Sequence, residues 1–213
     1  MGFEYLKDPL EIEAESFRRI RALTNLDRFD EAAQQVVLRL VHTSGMPDIV
    51  PNIRLSAGAV DAGIAALSSG ATVLCDVEML RKGLTARFIR SPCFCFVGDA
   101  GVAEQAASRG ETRSMAALDH WISHLGGAIA AIGNAPTALF RLLELLENGA
   151  PRPALIIGMP VGFVGAVESK EALLDFSNRR GTPSILLRGR QGGSAMAAAV
   201  VNALARLSKG VSV

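Results

Sequence analysis

The stretch from Gly126 to Lys170, GGAIAAIGNAPTALFRLLELLENGAPRPALIIGMPVGFVGAVESK, constrains the fold more than any other part of the chain. Residues 128–132 are a short apolar run without alternation, the pattern of a strand covered on both faces. Gly133-Asn134-Ala135-Pro136-Thr137 breaks that run. Pro136 suits the first turn of a helix, where its missing N–H would be unbonded anyway. Ala138, Leu139, Leu142, Leu143, Leu145 and Leu146 then give a helix with a broad apolar face. Asn148-Gly149 ends it, Pro151 and Pro153 keep it ended, and residues 154–157 form a second buried strand. Strand, helix and strand in this order make a βαβ unit, which requires parallel strands. An α/β fold is expected, with an open, mainly parallel sheet and helices on both faces. Ligands of such sheets bind beyond the carboxyl ends of the strands. GNAPT and GMPVG should therefore lie side by side on one rim, where helix N-termini favour an anion.

The bulk numbers narrow the function. With 213 residues, 49% of them hydrophobic and 20% charged, the chain is long enough for a sizeable core, and one domain over residues 1–213 is expected. A net charge of +1 and the lack of a basic run exclude a general nucleic-acid binder. Three cysteines, Cys75, Cys93 and Cys95, are too few for a disulfide scaffold, and Cys93-Phe94-Cys95 has no second pair to complete a zinc site. The opening MGFEYLKDPLEIEAES lacks a signal pattern and no apolar run reaches transmembrane length, so a cytoplasmic protein without membrane contact is expected.

Other segments supply candidate side chains. Residues 9–23 read as a helix carrying Ser16 and then Arg18, Arg19 and Arg21, which either form a solvated face with nearby glutamates or receive carboxylates of a ligand. A second helix over 31–43 places His42 in its last turn, before Thr43-Ser44-Gly45. The carbonyl end of a helix favours imidazolium, so His42 is either a proton donor or a cap on the terminal carbonyls. Residues 71–75 and 93–97 read as strands, with Asp76 and Glu78 near the crevice or capping the next helix. A helix reaching about Leu125 holds His120 and His124 on one face, without the glutamate of H-E-x-x-H, which reads as a structural pair. After a last strand over 184–187, Arg188-Gly189-Arg190-Gln191-Gly192-Gly193-Ser194 leads into a long Ala-rich helix, a combination suited to a carboxylate or phosphate. The tail SKGVSV is expected to fray.

IGNAPTALF, GMPVGFVGAVESK and RGRQGGSAMAAAVVNALA, in this order and supported by VLCDVEML, GETRSMAAL and VHTSG upstream, resemble the precorrin-8X methylmutase family of corrin-ring biosynthesis. The resemblance implies a cofactor-free isomerase that moves a methyl group on a polycarboxylate tetrapyrrole. It also implies a homodimer. It carries the family's catalytic histidine, in the pattern VH-x-x-G, onto His42. The threonine of GVTR falls on Thr85, which Ala86 follows instead of arginine, and the basic residue of NTRS falls on Arg113, with Glu111 in place of asparagine. Ser16 is retained in ESF. Arg19, Asn134, Arg188, Arg190 and Ser194 complete the expected substrate-binding set. No metal or other cofactor is implied. A non-catalytic tetrapyrrole carrier would need the same pocket. A nucleotide-binding oxidoreductase is the remaining reading, although Gly158-x-x-x-Gly162-x-x-Gly165 departs from G-x-G-x-x-G.

Overall fold

The computed structural model describes residues 2–211; Met1, Ser212 and Val213 lie outside it. Six strands form one sheet: β1 (Ile53–Leu55), β2 (Val73–Cys75), β3 (Cys93–Phe94), β4 (Ile129–Ile132), β5 (Leu155–Gly158) and β6 (Ser184–Leu187). Their order is β1-β6-β5-β4-β2-β3, all parallel except β1, which runs antiparallel to β6 with Ile53 opposite Leu187. The helices among the described residues are α1 (Pro9–Leu23), α2 (Glu31–Ser44), α3 (Ala59–Ser68), α4 (Glu78–Lys82), α5 (Val102–Arg109), α6 (Arg113–Ala117), α7 (Pro136–Glu147), α8 (Ala166–Arg180) and α9 (Ser194–Leu207).

Successive strand residues point to opposite faces, and both faces are covered. Val73, Ile129, Ile157 and Ile185 pack with α2, α3 and α9, whereas Leu74, Ile132, Ile156 and Leu186 pack with α7 and α8. This is the expected α/β architecture, and β4–α7–β5 is the βαβ unit at its centre. Local chemistry sets the helix starts. Asp8 accepts from the N–H groups of Leu10 and Glu11 ahead of α1, and Asp30 accepts from Ala33 at the start of α2. Gly45, at φ +68°, closes α2 by donating its N–H to the Val41 carbonyl.

Three local expectations are corrected. The strand expected over 93–97 ends at Phe94, because its only neighbour, β2, pairs no further than Leu74. The helix expected to reach Leu125 ends at Ala117, and Leu118–His124 tightens into a 3₁₀ helix. Its three-residue repeat stacks Leu118 and Trp121 into the core. The tail does not fray over its described part, since the Gly210 and Val211 N–H groups bond back to Leu207 and Arg206 carbonyls.

Candidate functional site

The sheet changes direction between β2 and β4, since β3 lies to one side and β5 and β6 to the other. That switch point is where an open α/β sheet normally takes its ligand. Here the chain fills it. The Asp76 carboxylate, at the end of β2, accepts from the N–H groups of Gly133 (3.1 Å), Asn134 (2.8 Å) and Ala135 (2.9 Å). Burial pushes the Asp76 carboxyl pKa up, and the three donors pull against that shift. Asp76 therefore does the work expected of an anionic ligand at the start of α7. The GNAPT and GMPVG turns do lie side by side, with the Met159 N–H on the Ile132 carbonyl, but the N–H groups of Gly133, Asn134, Ala135, Met159 and Gly162 are already spent on acceptors within the chain.

The third rim turn closes over the same place. Gly193 donates to the Met159 carbonyl and Gly162 to the Arg190 carbonyl. A Cβ on Gly192 would sit 2.3 Å from the Met159 oxygen, so only glycine fits there. Ser194 is buried, its Cα 2.7 Å from where a Cβ on Gly133 would lie. Asn134 is exposed above this closed turn. Arg188 is bound bidentately by Glu171 at 2.7 and 2.9 Å, and Arg190 lies over the Phe163 ring. Arg113 is exposed in the first turn of α6.

Beneath the turn, the fully buried Lys170 donates to the Gln191 carbonyl at 2.7 Å, and burial lowers its pKa from 10.5 to about 8. Between those two values the unfolded chain holds a proton that the folded chain has released. Stability contributed at this position is complete above the unfolded value and is lost as pH falls through the folded one. Urea unfolding of wild type and Lys170→Met is therefore expected to shift in favour of wild type as pH rises from about 8 to about 10.5. A gap that stays constant over that window excludes a depressed lysine.

A second group of candidates meets on the outer side of α2. The Ser16 hydroxyl, on α1, lies 2.8 Å from His42 Nδ1, and the Phe17 ring packs 5.2 Å from the imidazole. His42 is exposed and bonds no terminal carbonyl, because Gly45 already caps the helix. Ser16 takes Nδ1, so Nε2 is the nitrogen left for a ligand; it makes no hydrogen bond among the described residues. Thr85 reaches the same side of the molecule through α9, since its N–H donates to Asn202 Oδ1 at 2.8 Å while Asn202 Nδ2 holds the Gly83 carbonyl. Thr85 and Thr43, the residue after His42, line one cavity of about 210 Å³. Arg19 lies nearby on α1 but is bound by Glu15, as is Arg18; the two guanidinium groups hold the Glu15 carboxyl at about 2.

His42, Ser16 and Thr85 thus share one side, while Asn134, Arg188, Arg190 and Ser194 belong to the closed rim. The two are joined where Gln191 Nε2 meets the Met46 sulfur just past α2. His120 and His124 lie elsewhere, stacked on Phe96 at 5.8 and 5.6 Å. Among the described residues no three His, Cys, Asp or Glu side chains group to hold a metal ion, and no helix is long and apolar enough to cross a membrane.

A family model described as precorrin-8X methylmutase matches residues 11–207. The chain belongs to the precorrin-8X methylmutase family. A precorrin-8X methylmutase of Pseudomonas aeruginosa is 49% identical over 204 residues, covering 95% of this chain and 97% of its own. A cobalt-precorrin-8 methylmutase of Methanothermobacter thermautotrophicus is 38% identical, with 93% of each chain covered. The crystal structure of a precorrin-8X methylmutase from Thermus thermophilus superposes with a TM-score of 0.84 at 35% identity, over 95% of this chain and 99% of that one. Methylmutase relatives thus match nearly the whole chain, and the glycines Gly158, Gly162 and Gly165 lie inside the span that the family model matches.

The sequence placed Asp76 near the crevice or in a helix cap without revealing it as the plug of the switch point, and it did not single out Lys170 beneath the rim or Arg39 and Arg206, which with Arg87 surround the cavity beside Thr43. Arg39 had a signal: it is a lone charge inside the apolar run VVLRLV, and such a position is buried with a purpose or not tolerated at all.

Proposed function

We propose that the chain catalyses the isomerisation for which its relatives are named, moving a methyl group from C-11 to C-12 of precorrin-8X to give hydrogenobyrinic acid. The observation that carries this reading is the family match over residues 11–207. The Ser16–His42 pair supplies chemistry suited to it. A methyl shift within one molecule needs a ring held in place and a proton lent to it, and an oriented imidazole can lend one. Nδ1 is anchored on Ser16, so His42 gives its proton from Nε2 and recovers it once the methyl group has moved. Thr85 holds the substrate edge, with Arg19, Arg113 and Asn134 as further contacts. Arg188, Arg190, Gln191 and Ser194 shape the rim.

The whole chain acts as one domain in the cytoplasm, and two copies make the enzyme. His42 is exposed, and the half-open cavity beside Thr43, about 210 Å³, is below the roughly 300–1,000 Å³ of a ligand pocket. A second copy supplies the missing wall. Light scattering on the eluting protein is expected to give twice the chain mass of 22.4 kDa; a monomer at micromolar concentration overturns the two-copy site.

The function is tested by an absorbance time course with precorrin-8X, run in parallel with its cobalt form. Identities of 49% and 46% to two relatives named for precorrin-8X, against 38% or less to those named for the cobalt compound, favour the metal-free substrate. Conversion to the hydrogenobyrinic acid spectrum is expected. Binding without conversion of either form makes the protein a carrier instead.

A further inference from the structure

Lys170, on α8, is wholly buried, yet no carboxylate pairs with it among the described residues. Its sequence neighbour Glu171 binds Arg188 instead, at 2.7 and 2.9 Å. A cation in such a place is costly, and methionine or leucine would fill the same space without that cost. What the lysine adds is a donor. Its Nζ reaches the Gln191 carbonyl at 2.7 Å and makes no other hydrogen bond among the described residues. Burial lowers the lysine pKa to about 8, and a neutral amine still donates, so the bond outlasts the charge.

The carbonyl it holds belongs to a turn with freedom to lose. Gly189 and Gly193, at φ +86° and +126°, open many shapes to the backbone between β6 and α9. Past Arg188, three bonds fix one of them: the Gly162 N–H on the Arg190 carbonyl at 3.1 Å, Lys170 on the Gln191 carbonyl at 2.7 Å, and the Gly193 N–H on the Met159 carbonyl at 2.8 Å. Only the middle one comes from a side chain. The exposed Gln191 side chain then extends away from the turn, and its Nε2 lies 3.4 Å from the Met46 sulfur. Met46 follows Gly45, the cap of α2, and its N–H donates to Ser44 Oγ at 3.2 Å. His42 stands in that same last turn of α2. An unbroken run of contacts thus joins a buried lysine to the end of the helix that bears His42.

We propose that Lys170 is a positioning residue for the methyl shift: by holding the Gln191 carbonyl from beneath, it fixes where Gln191 meets Met46, and so keeps the rim at a set spacing from His42 before substrate arrives. The proposal rests on the methylmutase reading above. A rim without this anchor has to be ordered at each binding event, which weakens substrate binding and leaves the proton donor as it was.

Lys170→Met keeps most of the buried volume and removes the donor. Gln191→Ala, at an exposed side chain, removes the contact with Met46 and leaves the carbonyl in place. Initial rates with precorrin-8X are taken per binding site, counted by titration with hydrogenobyrinic acid, so that unfolded protein does not enter. KM is expected to rise about tenfold in Lys170→Met and about fivefold in Gln191→Ala, with kcat within about threefold of wild type in both, because the Ser16–His42 pair is untouched. The double variant is expected to match Lys170→Met and not the product of the two effects, since one residue acts through the other. KM within about twofold of wild type in either variant, or effects that multiply in the double variant, overturns the proposal. A Lys170→Met protein with no binding sites left makes the lysine a support of the fold alone and overturns it as well. Failure of wild type to convert precorrin-8X overturns the functional reading itself, whereas conversion with unchanged KM in the variants overturns only the role of Lys170.

Discussion

His42→Ala is expected to lower the rate of precorrin-8X conversion by about 10² to 10⁴-fold and to leave affinity for hydrogenobyrinic acid within about threefold. The two halves of that result have separate physical causes. The imidazole is exposed and held by one hydrogen bond to Ser16, so its removal creates no cavity and orphans only a surface hydroxyl. Binding energy comes from the many contacts around the ring and its acidic arms, whereas the proton comes from one group. Ser16→Ala is expected to reduce the rate less, because it loosens the ring without removing the proton. Absorbance kinetics at saturating substrate check both variants. A His42→Ala enzyme that turns over at the wild-type rate removes the proton donor from the mechanism.

Asp76→Ala is expected to cost about 3 kcal/mol or more of stability, because three buried or half-buried N–H groups lose a charged acceptor at once. For a chain of this size that corresponds to a fall in Tm of about 6–12 °C. Asp76→Asn is expected to recover little of the loss. Both carboxylate oxygens accept, and an amide would turn a donor toward Gly133 or toward the Asn134 and Ala135 pair. Calorimetric melting checks the two variants, and a shift below about 2 °C in both shows that Asp76 does not hold the switch point.

Most of the architecture was legible because its signals are local. The unalternating runs at 128–132 and 154–157 declared buried parallel strands, and the helix over Pro9–Leu23 followed from Pro9 and the spacing of Phe17, Ile20 and Leu23. The shortened β3 was not legible, since its length is set by where β2 stops pairing. The site divided in the same way. The helix terminus left His42 as either a proton donor or a cap, the resemblance chose the donor and added Ser16, and their contact, across 26 residues of sequence, depends on how α1 packs against α2. The rim turns looked like anion sites because their sequences contain donors, but no pattern in GNAPT reveals that Asp76, 57 residues earlier, already uses them. Arg188 was legible as a cation and not as Glu171's partner, for the same reason.

Helix α9 connects the two halves of the site as a ruler with fixed marks. Its first residue, Ser194, is wedged at the rim beside Gly133, and Asn202 and Arg206 stand further along at the charged cavity. At 1.5 Å per residue, Ser194 and Arg206 are set about 18 Å apart, and each added residue also rotates every later side chain by about 100°. Ala197, Ala198 and Ala203 on this helix, with Gly83 pressed against Ala198, leave it no freedom to slide. Side chains on its surface can drift over evolutionary time, but its length between the two marks cannot change by a single residue without turning Arg206 away from the cavity. Insertions and deletions should therefore be tolerated in the connecting loops and rejected between Ser194 and Arg206.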